Sequence, residues 1–241
     1  MRRIGAVRSF WKINEYVELQ QPRIVVLEHV RGLLTHHRKT LDTIVRQLQE
    51  VKDHETIQQC YDVHWKLLDT LTHGLEPQHC ERIYIVAIKR CGRSSTSFTW
   101  PSAEIPVALK YVRDVVISPV SSYNRYPFHM FCETAAKNLR AAVAKIKGIA
   151  QAEGRMPESY PVIVDLGGSK LNMAIGYSPC LTSSRCSARG YAWLQTATRL
   201  STAELFKLQG FTEQDMLDME FVLPRGQMAS MIGNACSETG C

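Results

Sequence analysis

The chain has 241 residues, 45% of them hydrophobic and 22% charged, with a mean hydropathy of -0.17. That composition fills one sizeable core or two unequal lobes and excludes a disordered chain, and no apolar run is long enough to span a bilayer. The formal net charge of +6 is unevenly placed: Lys89 to Arg199 carries 15 Lys and Arg against 6 Asp and Glu, and the remainder carries 14 against 17. A basic middle suits a lobe that faces nucleic acid, although on the charge alone a solvated surface with a mild bias is the better account.

In chain order, "MRRIGAVRSFWK" is basic and acid-free. It weakly resembles an organelle transit peptide, but a surface helix at a domain edge is the expectation. "PRIVVLEHV", Pro22 to Val30, reads as a buried parallel strand with Glu28 at its C-terminal end. Leu41, Ile44, Val45, Leu48 and Val51 then follow helical spacing, giving one half of an α/β unit. "VHWKLLDTL" and "RIYIVAIKR" are two further strands, expected to pair antiparallel across a segment punctuated by Gly74 and Pro77. From Cys91 to about Ile105 the chain turns polar and rich in Ser and Thr, marking a lobe boundary. A helix is predicted over Glu133 to Glu153, with Leu139, Val143, Ile146 and Ala150 on one face.

"PVIVDLGGSKLNMAIGYSPC", Pro161 to Cys180, combines two signals. An apolar run ending in an acid and paired glycines can feed a nucleotide-binding turn, because glycine lets backbone N–H groups approach a ligand. The Pro-Cys that follows offers a nucleophile. Further on, Ser201 and Glu204 stand at capping-box spacing before Leu205 and Leu208, and Gly210 is placed to end that helix. No internal repeat is visible.

The eight cysteines, at 60, 80, 91, 132, 180, 186, 236 and 241, form no Cys-x-x-Cys pair, and no secretory segment precedes them. Reduced intracellular thiols are expected. The histidines lack ligand spacing, so no metal site is predicted.

Four separated stretches, taken in order, resemble the DNA cytosine-5 methyltransferase family. That family carries Glu-Asn-Val at a strand end, Gln-x-Arg-x-Arg before another strand, a variable target-recognition domain, Arg-x-Leu-(Ser/Thr)-x-x-Glu with Leu-Gln-Gly-Phe, and Gly-Asn-Ala or Gly-Asn-Ser. Here they read Glu28-His29-Val30, Gln78-His79-Cys80-Glu81-Arg82, Arg199 to Glu204 with Leu208-Gln209-Gly210-Phe211, and Gly233-Asn234-Ala235. The resemblance implies an α/β fold, part of a Rossmann-like S-adenosylmethionine-dependent methyltransferase sheet with a smaller target-recognition lobe. The implied divisions are residues 1–90 in the catalytic domain, 91–195 in the target-recognition domain, and 196–241 returning to the catalytic domain.

In the family the cofactor loop and the nucleophilic Pro-Cys both precede the Glu-Asn-Val strand, whereas Asp165 follows Glu28 by 137 positions. "VDLGGS" is therefore expected to be a decoy inside the recognition lobe. "SPCLTSSR" resembles the Pro-x-Leu-Thr segment that closes that lobe, which makes Cys180 a structural side chain. The chain is expected to begin downstream of the cofactor loop and nucleophile, and so to be inactive alone. Methyl transfer from S-adenosyl-L-methionine to C5 of cytosine in DNA is the implied family reaction.

By resemblance, Glu28 holds the cytosine N3 edge as a proton donor, which calls for a carboxyl pKa raised by desolvation, and Arg82 donates to O2. Gly233 and Asn234 belong to the cofactor pocket, with binding by this chain alone expected to be weak or absent. Thr182, Arg185 and Arg189 are the DNA-contact candidates. Two positions depart from the pattern: His29 replaces Asn, and Cys80 replaces the first Arg, removing a fixed charge that a thiol cannot imitate. The implied partners are DNA and a complementing N-terminal half, with no membrane; the implied location is intracellular, and nuclear in a eukaryote. The alternatives are a non-catalytic DNA-binding remnant and one half of a split methyltransferase.

Overall fold

The computed structural model describes residues 5–74, 76–90, 97–103, 112, 131–196 and 198–235. Most of the polar stretch from Cys91 to Ile105, the end of the C-terminal tail, and Cys91, Cys236 and Cys241 lie outside them. The fold is α/β and divides into two compact units, Met1–Leu68 with Glu81–Ser102, and Asp69–Cys80 with Ala103–Cys241.

The first unit contains α1 (Gly5–Gln20), β1 (Ile24–Val30), α2 (Gly32–Thr35), α3 (Arg38–Glu50), β2 (Tyr61–Asp69, whose last residue begins the second unit) and β4 (Glu81–Lys89). Its sheet has the order β1-β4-β2. The apolar stripe predicted for α3 is the buried one: Leu41, Ile44 and Leu48 pack with Val25, Tyr61, Ile83, Ile85 and Ala87. Pro22 is fixed at the entry to β1 by the Tyr61 hydroxyl, which donates to its carbonyl at 2.8 Å.

Two expectations about these strands meet different outcomes. "VHWKLLDTL" and "RIYIVAIKR" are neighbours in the sheet, as their sequences suggest. The run from Pro22 to Val30 is a strand, but β1 lies at the end of the sheet and pairs antiparallel with β4, from Ile24 opposite Ile88 to Val30 opposite Arg82. Its burial alternates: Val25 is 7% exposed, while Ile24 and Val26 are 61% and 60% exposed. An unbroken apolar run reads the same whether one face or both are covered, so the pattern alone does not distinguish them.

The second unit contains α4 (Thr70–His73), β3 (Gln78–His79), α5 (Glu133–Glu153), β5 (Val162–Asp165), β6 (Asn172–Ile175), β7 (Ser178–Pro179), α6 (Ser183–Ser187), β8 (Tyr191–Trp193), β9 (Thr198–Arg199), α7 (Thr202–Leu208), α8 (Glu213–Glu220) and α9 (Arg225–Ile232). A four-stranded sheet runs β6-β5-β8-β9 with each pair antiparallel, and β3 pairs parallel with β7. α5 occupies the predicted span and buries Leu139, Ile146 and Ala150 against Val162, Val164 and Leu166. Val143, expected on the same face, is 37% exposed and Ala142 is buried in its place, one position being enough to rotate a side chain off the stripe. Leu181, Tyr191, Leu205, Phe206, Met228 and Ile232 belong to a separate core in which α7 and α9 meet.

Local sequence accounts for α7 at both ends. The Ser201 hydroxyl accepts the Glu204 N–H at 3.2 Å and the Glu204 carboxylate accepts the Ser201 N–H at 2.7 Å, the reciprocal capping box. At the other end Gly210 has φ +93°; its N–H reaches Lys207 O at 3.1 Å and the Phe211 N–H reaches Phe206 O at 3.1 Å. That is a Schellman closure, sealed by the Phe206 and Phe211 rings 5.6 Å apart.

Candidate functional site

The two candidate catalytic residues come together in the first unit. Glu28 lies opposite Tyr84 in the β1/β4 register, and Arg82 is two residues before Tyr84, so both side chains stand on one face of the antiparallel pair. Arg82 Nε lies 2.6 Å from Glu28 Oε1, with the side chains 18% and 31% exposed. This is a charge-assisted pair at the end of a strand, with one carboxylate oxygen taken by the guanidinium. Arg82 Nη1 also donates to Glu81 O at 3.2 Å, and the Glu81 carboxylate pairs with Arg31. His29 alternates onto the opposite face, its Nδ1 3.3 Å from Val30 O.

The other motifs converge in the second unit, on residues to which the sequence alone gives no role. Gln78 is 1% exposed, and its amide donates to Leu208 O at 3.3 Å and Gln209 Oε1 at 3.1 Å. Gln209, 3% exposed, donates onward to Ile232 O at 2.7 Å and Ala235 O at 3.3 Å. The Gln78, Leu-Gln-Gly and Gly-Asn-Ala stretches are thus one buried amide network. Asp69 is a residue the sequence does not single out: it accepts the Leu71 N–H at 3.2 Å and the Cys80 N–H at 2.9 Å, and sits 2.6 Å from His79 Nδ1. Its only signal is a strand-end acid before a Thr, a weak cap pattern.

The candidate cofactor residues Gly233 and Asn234 lie at the end of α9. A Cβ on Gly233 would collide with the backbone of Thr182 and Ser183, so the glycine permits α9 to abut the Pro-Cys-Leu-Thr segment. Asn234 is exposed, and its N–H is used on Met231 O at 2.9 Å. No group of three or more ligating side chains able to hold a metal occurs among the described residues.

"VDLGGS" is occupied by the protein itself. Asp165 Oδ1 accepts the Gly167 N–H at 2.9 Å and lies 3.1 Å from Arg185 Nε, while Asn138 donates to Leu166 O at 3.1 Å and Gly168 O at 2.9 Å. Any Cβ on Gly167 would fall 2.7 Å from the Arg185 guanidinium. Arg185 therefore closes this turn, with its side chain 34% exposed. Thr182 is the N-cap residue of α6, and its carbonyl accepts the Arg185 and Cys186 N–H groups at 3.0 and 2.9 Å. Arg189 has φ +50°, and its carbonyl accepts from Arg199.

Five of the cysteines lie among the described residues, and Cys132 is free and exposed at the N-cap of α5. Cys180 is joined to Cys80 in a disulfide, with Cα atoms 4.5 Å apart, which departs from the expectation of reduced thiols. The β3/β7 register brings the two together across 100 residues, a relationship invisible to spacing. Burial pushes the Cys186 thiol up to about 12, and the Cys60 thiol is raised for the same reason.

The resemblance to known proteins runs along almost the whole chain. The model of the C-5 cytosine-specific DNA methylase family matches residues 2–238. The Type II methyltransferase M.NgoBI of Neisseria gonorrhoeae is 28% identical over 234 residues, covering 95% of this chain and 61% of that protein. The Type II methyltransferase M.HaeII of Haemophilus aegyptius is 27% identical over 229 residues, again covering 95% and 61%. The crystal structure of a putative DNA modification methyltransferase encoded within an Escherichia coli prophage superposes with a TM-score of 0.54 at 16% identity, covering 93% of this chain and 68% of that one. This last likeness bears on the fold alone. The chain spans 61% of the length of these two curated relatives. With the family model matching nearly end to end, the chain belongs to the C-5 cytosine-specific DNA methylase family.

Proposed function

We propose that this chain provides the base-facing wall and target-recognition part of a DNA cytosine-5 methyltransferase, and that it does not complete methyl transfer alone. The observation that carries this reading is the Glu28–Arg82 pair, 2.6 Å apart on one strand face. A carboxyl and a guanidinium so placed supply a hydrogen-bonding edge for a flipped cytosine, the acid meeting N3 and the cation O2. The reaction further requires a thiolate to attack C6. Among the described cysteines, Cys180 is bonded to Cys80, burial disfavours the thiolates of Cys60 and Cys186, and exposed Cys132 follows Phe131 and not a proline.

S-adenosyl-L-methionine is the methyl donor of the reaction proposed. Gly233 serves internal packing, which supports weak or absent binding of that donor by this chain alone. The surface of β1 favours a complementing N-terminal half as partner, whether on the same polypeptide or another. Among the described residues β1 ends the sheet, and Ile24, Val26 and Val30 stand 61%, 60% and 50% exposed on the face that also carries Glu28. An apolar strand face at a free edge is ordinarily covered by further structure.

DNA is the proposed macromolecular partner, inside the cell, through the basic segment from Lys89 to Arg199. The test is affinity for duplex DNA against salt, for the wild type and for Arg185→Ala combined with Arg189→Ala. Affinity should fall steeply with salt, and the double variant should bind more weakly with a shallower slope, the change being about 0.9 for each phosphate no longer neutralised. Asp165→Asn, which releases Arg185, should not weaken binding. A flat salt response would discard the assignment.

A further inference from the structure

Cys80 and Cys180 extend the register of a parallel pair in which Gln78 faces Ser178 and His79 faces Pro179. Their Cα separation of 4.5 Å is within the range that a disulfide spans. Each backbone is held independently of the sulfurs. The Cys80 N–H donates to Asp69 Oδ1 at 2.9 Å, and its carbonyl accepts from the Thr70 N–H at 3.2 Å and hydroxyl at 3.3 Å. The Cys180 carbonyl accepts the hydroxyl of buried Tyr191 at 2.8 Å, and the neighbouring Ser178 N–H donates to Pro77 O at 2.6 Å. Two thiols are therefore delivered to each other by fixed chain segments, with or without a bond between them. Cys80 is 5% exposed and Cys180 is half-buried, so reagents reach the pair from the Cys180 side.

We propose that Cys80 and Cys180 form a reversible redox latch, open as a dithiol under reducing conditions and closed by exchange with a small-molecule disulfide such as glutathione disulfide. The Cys180 thiolate attacks one sulfur of glutathione disulfide, releasing one glutathione thiolate and leaving a mixed disulfide on Cys180. The Cys80 thiolate then attacks the Cys180 sulfur, and the second glutathione leaves. The two cysteine protons end on two glutathione molecules, so one external disulfide is reduced as one internal dithiol is oxidised; reduction runs the same steps backwards.

The consequence is mechanical. Closing the latch pins the segment ending at Cys80 to the Pro-Cys-Leu-Thr segment, and Gln78 carries that restraint to Gln209 and the end of α9. The loop enclosed spans a sequence separation of 100 residues, so the bond also confines the unfolded chain strongly.

The test equilibrates the full chain in glutathione buffers of graded redox ratio, quenches with an alkylating agent, and maps digested peptides by mass spectrometry alongside thermal melts. The expected result is a linked peptide pair containing Cys80 and Cys180 that disappears in dithiothreitol. The oxidised protein should melt roughly 5–15 °C above the reduced one. Cys180→Ser, at the less buried position, should melt like the reduced wild type and lose all redox dependence; Cys80→Ala should do the same. Three results would overturn the latch: both thiols remaining open to alkylation at every ratio, either cysteine pairing elsewhere, or a linked pair that leaves the melt unchanged.

Discussion

Gln78 and Gln209 grip each other in the interior of the second unit, amide to amide at 3.1 Å, and Gln209 passes the grip on to Ile232 O at 2.7 Å. Buried amides of this kind stabilise only when every partner is satisfied. Replacing Gln209 with Leu keeps the volume but takes one acceptor from the Gln78 amide, which retains Leu208 O. It also takes the Gln209 donor from the Ile232 carbonyl, which retains the Ala235 N–H, and removes the Gln209 donor from the Ala235 carbonyl. We expect Gln209→Leu to lower unfolding free energy by about 3 kcal/mol, measured by urea denaturation. Gln214→Ala, which removes only an exposed hydrogen bond to Asp218, should cost less than about 0.5 kcal/mol and serves as control. Equal losses in the two variants would show that the buried network carries no special weight.

Two glycines of the matched motifs should respond differently to the same change. At Gly210 the demand is conformational, a φ of +93°, and Gly210→Ala should cost about 1 kcal/mol while leaving α7 in place. At Gly233 the demand is space, because a methyl group would enter the backbone of Thr182 and Ser183. Gly233→Ala should cost about 3 kcal/mol. Parallel denaturation curves settle the order, and a Gly233 variant as stable as the wild type would contradict the close packing of α9 on that segment.

The same contrast between local and distant demands governs what was legible in the sequence. Features set by neighbours within a few residues were readable: α5 over Glu133 to Glu153, the Ser201–Glu204 box, and the stop at Gly210. Features set by distant chain were not. The direction and one-sided burial of β1 depend on β4, some 50 residues away, and the Cys80–Cys180 pairing on a register between segments separated by 100 residues. "VDLGGS" was legible as a strand and a turn. That Asn138 and Arg185 fill the turn from α5 and α6 was beyond any local pattern. Asp69 escaped notice because one acid at a strand end has no periodicity to distinguish it from a solvated carboxylate.

The Cys186 thiol gives a pH-dependent prediction. Burial holds it neutral, with a pKa of about 12 against an ordinary value of 9.0. An acid whose folded pKa is raised above its unfolded value keeps its full contribution to stability below the unfolded pKa, and loses it as pH climbs from about 9 towards 12. The urea midpoint should therefore fall between about pH 8.5 and 11 by more in the wild type than in Cys186→Ala. Tyr61, also raised by burial, contributes equally to both proteins and cancels in the comparison. Tyr191, raised by burial and then by Cys186, loses part of its own shift in the variant, which widens the difference in the same direction. Identical alkaline losses would remove Cys186 from this role.

Covalent trapping tests the functional reading most directly. In the reaction proposed, a thiolate bonds to C6 of cytosine, and fluorine at C5 blocks the later release, so DNA containing 5-fluorocytosine stays attached in the presence of the methyl donor. The chain alone should give no denaturation-resistant adduct with the latch closed or open. Closed, Cys180 is bonded to Cys80; open, it still lies in the Pro-Cys-Leu-Thr segment and not ahead of Glu28. Burial disfavours the Cys60 and Cys186 thiolates, and exposed Cys132 follows a Phe at the N-cap of α5. A chimera carrying a family member's cofactor loop and Pro-Cys-Gln segment ahead of residue 1 should form one. In that chimera, removing the acid or the cation opposite the base should cost in proportion to its role. Glu28→Gln, which cannot protonate N3, and Arg82→Ala should each slow adduct formation by roughly 100-fold or more, the scale of removing a proton donor or a charge-stabilising group. His29→Asn and Cys80→Arg, which restore the family residues, should speed it. An adduct on the lone chain that Cys180→Ser abolishes would show that the Pro-Cys dipeptide in the recognition lobe is a nucleophile after all. A chimera that stays inert even with both reversions would favour a non-catalytic DNA-binding remnant, because the Glu28–Arg82 pair would then lack the geometry to engage a base.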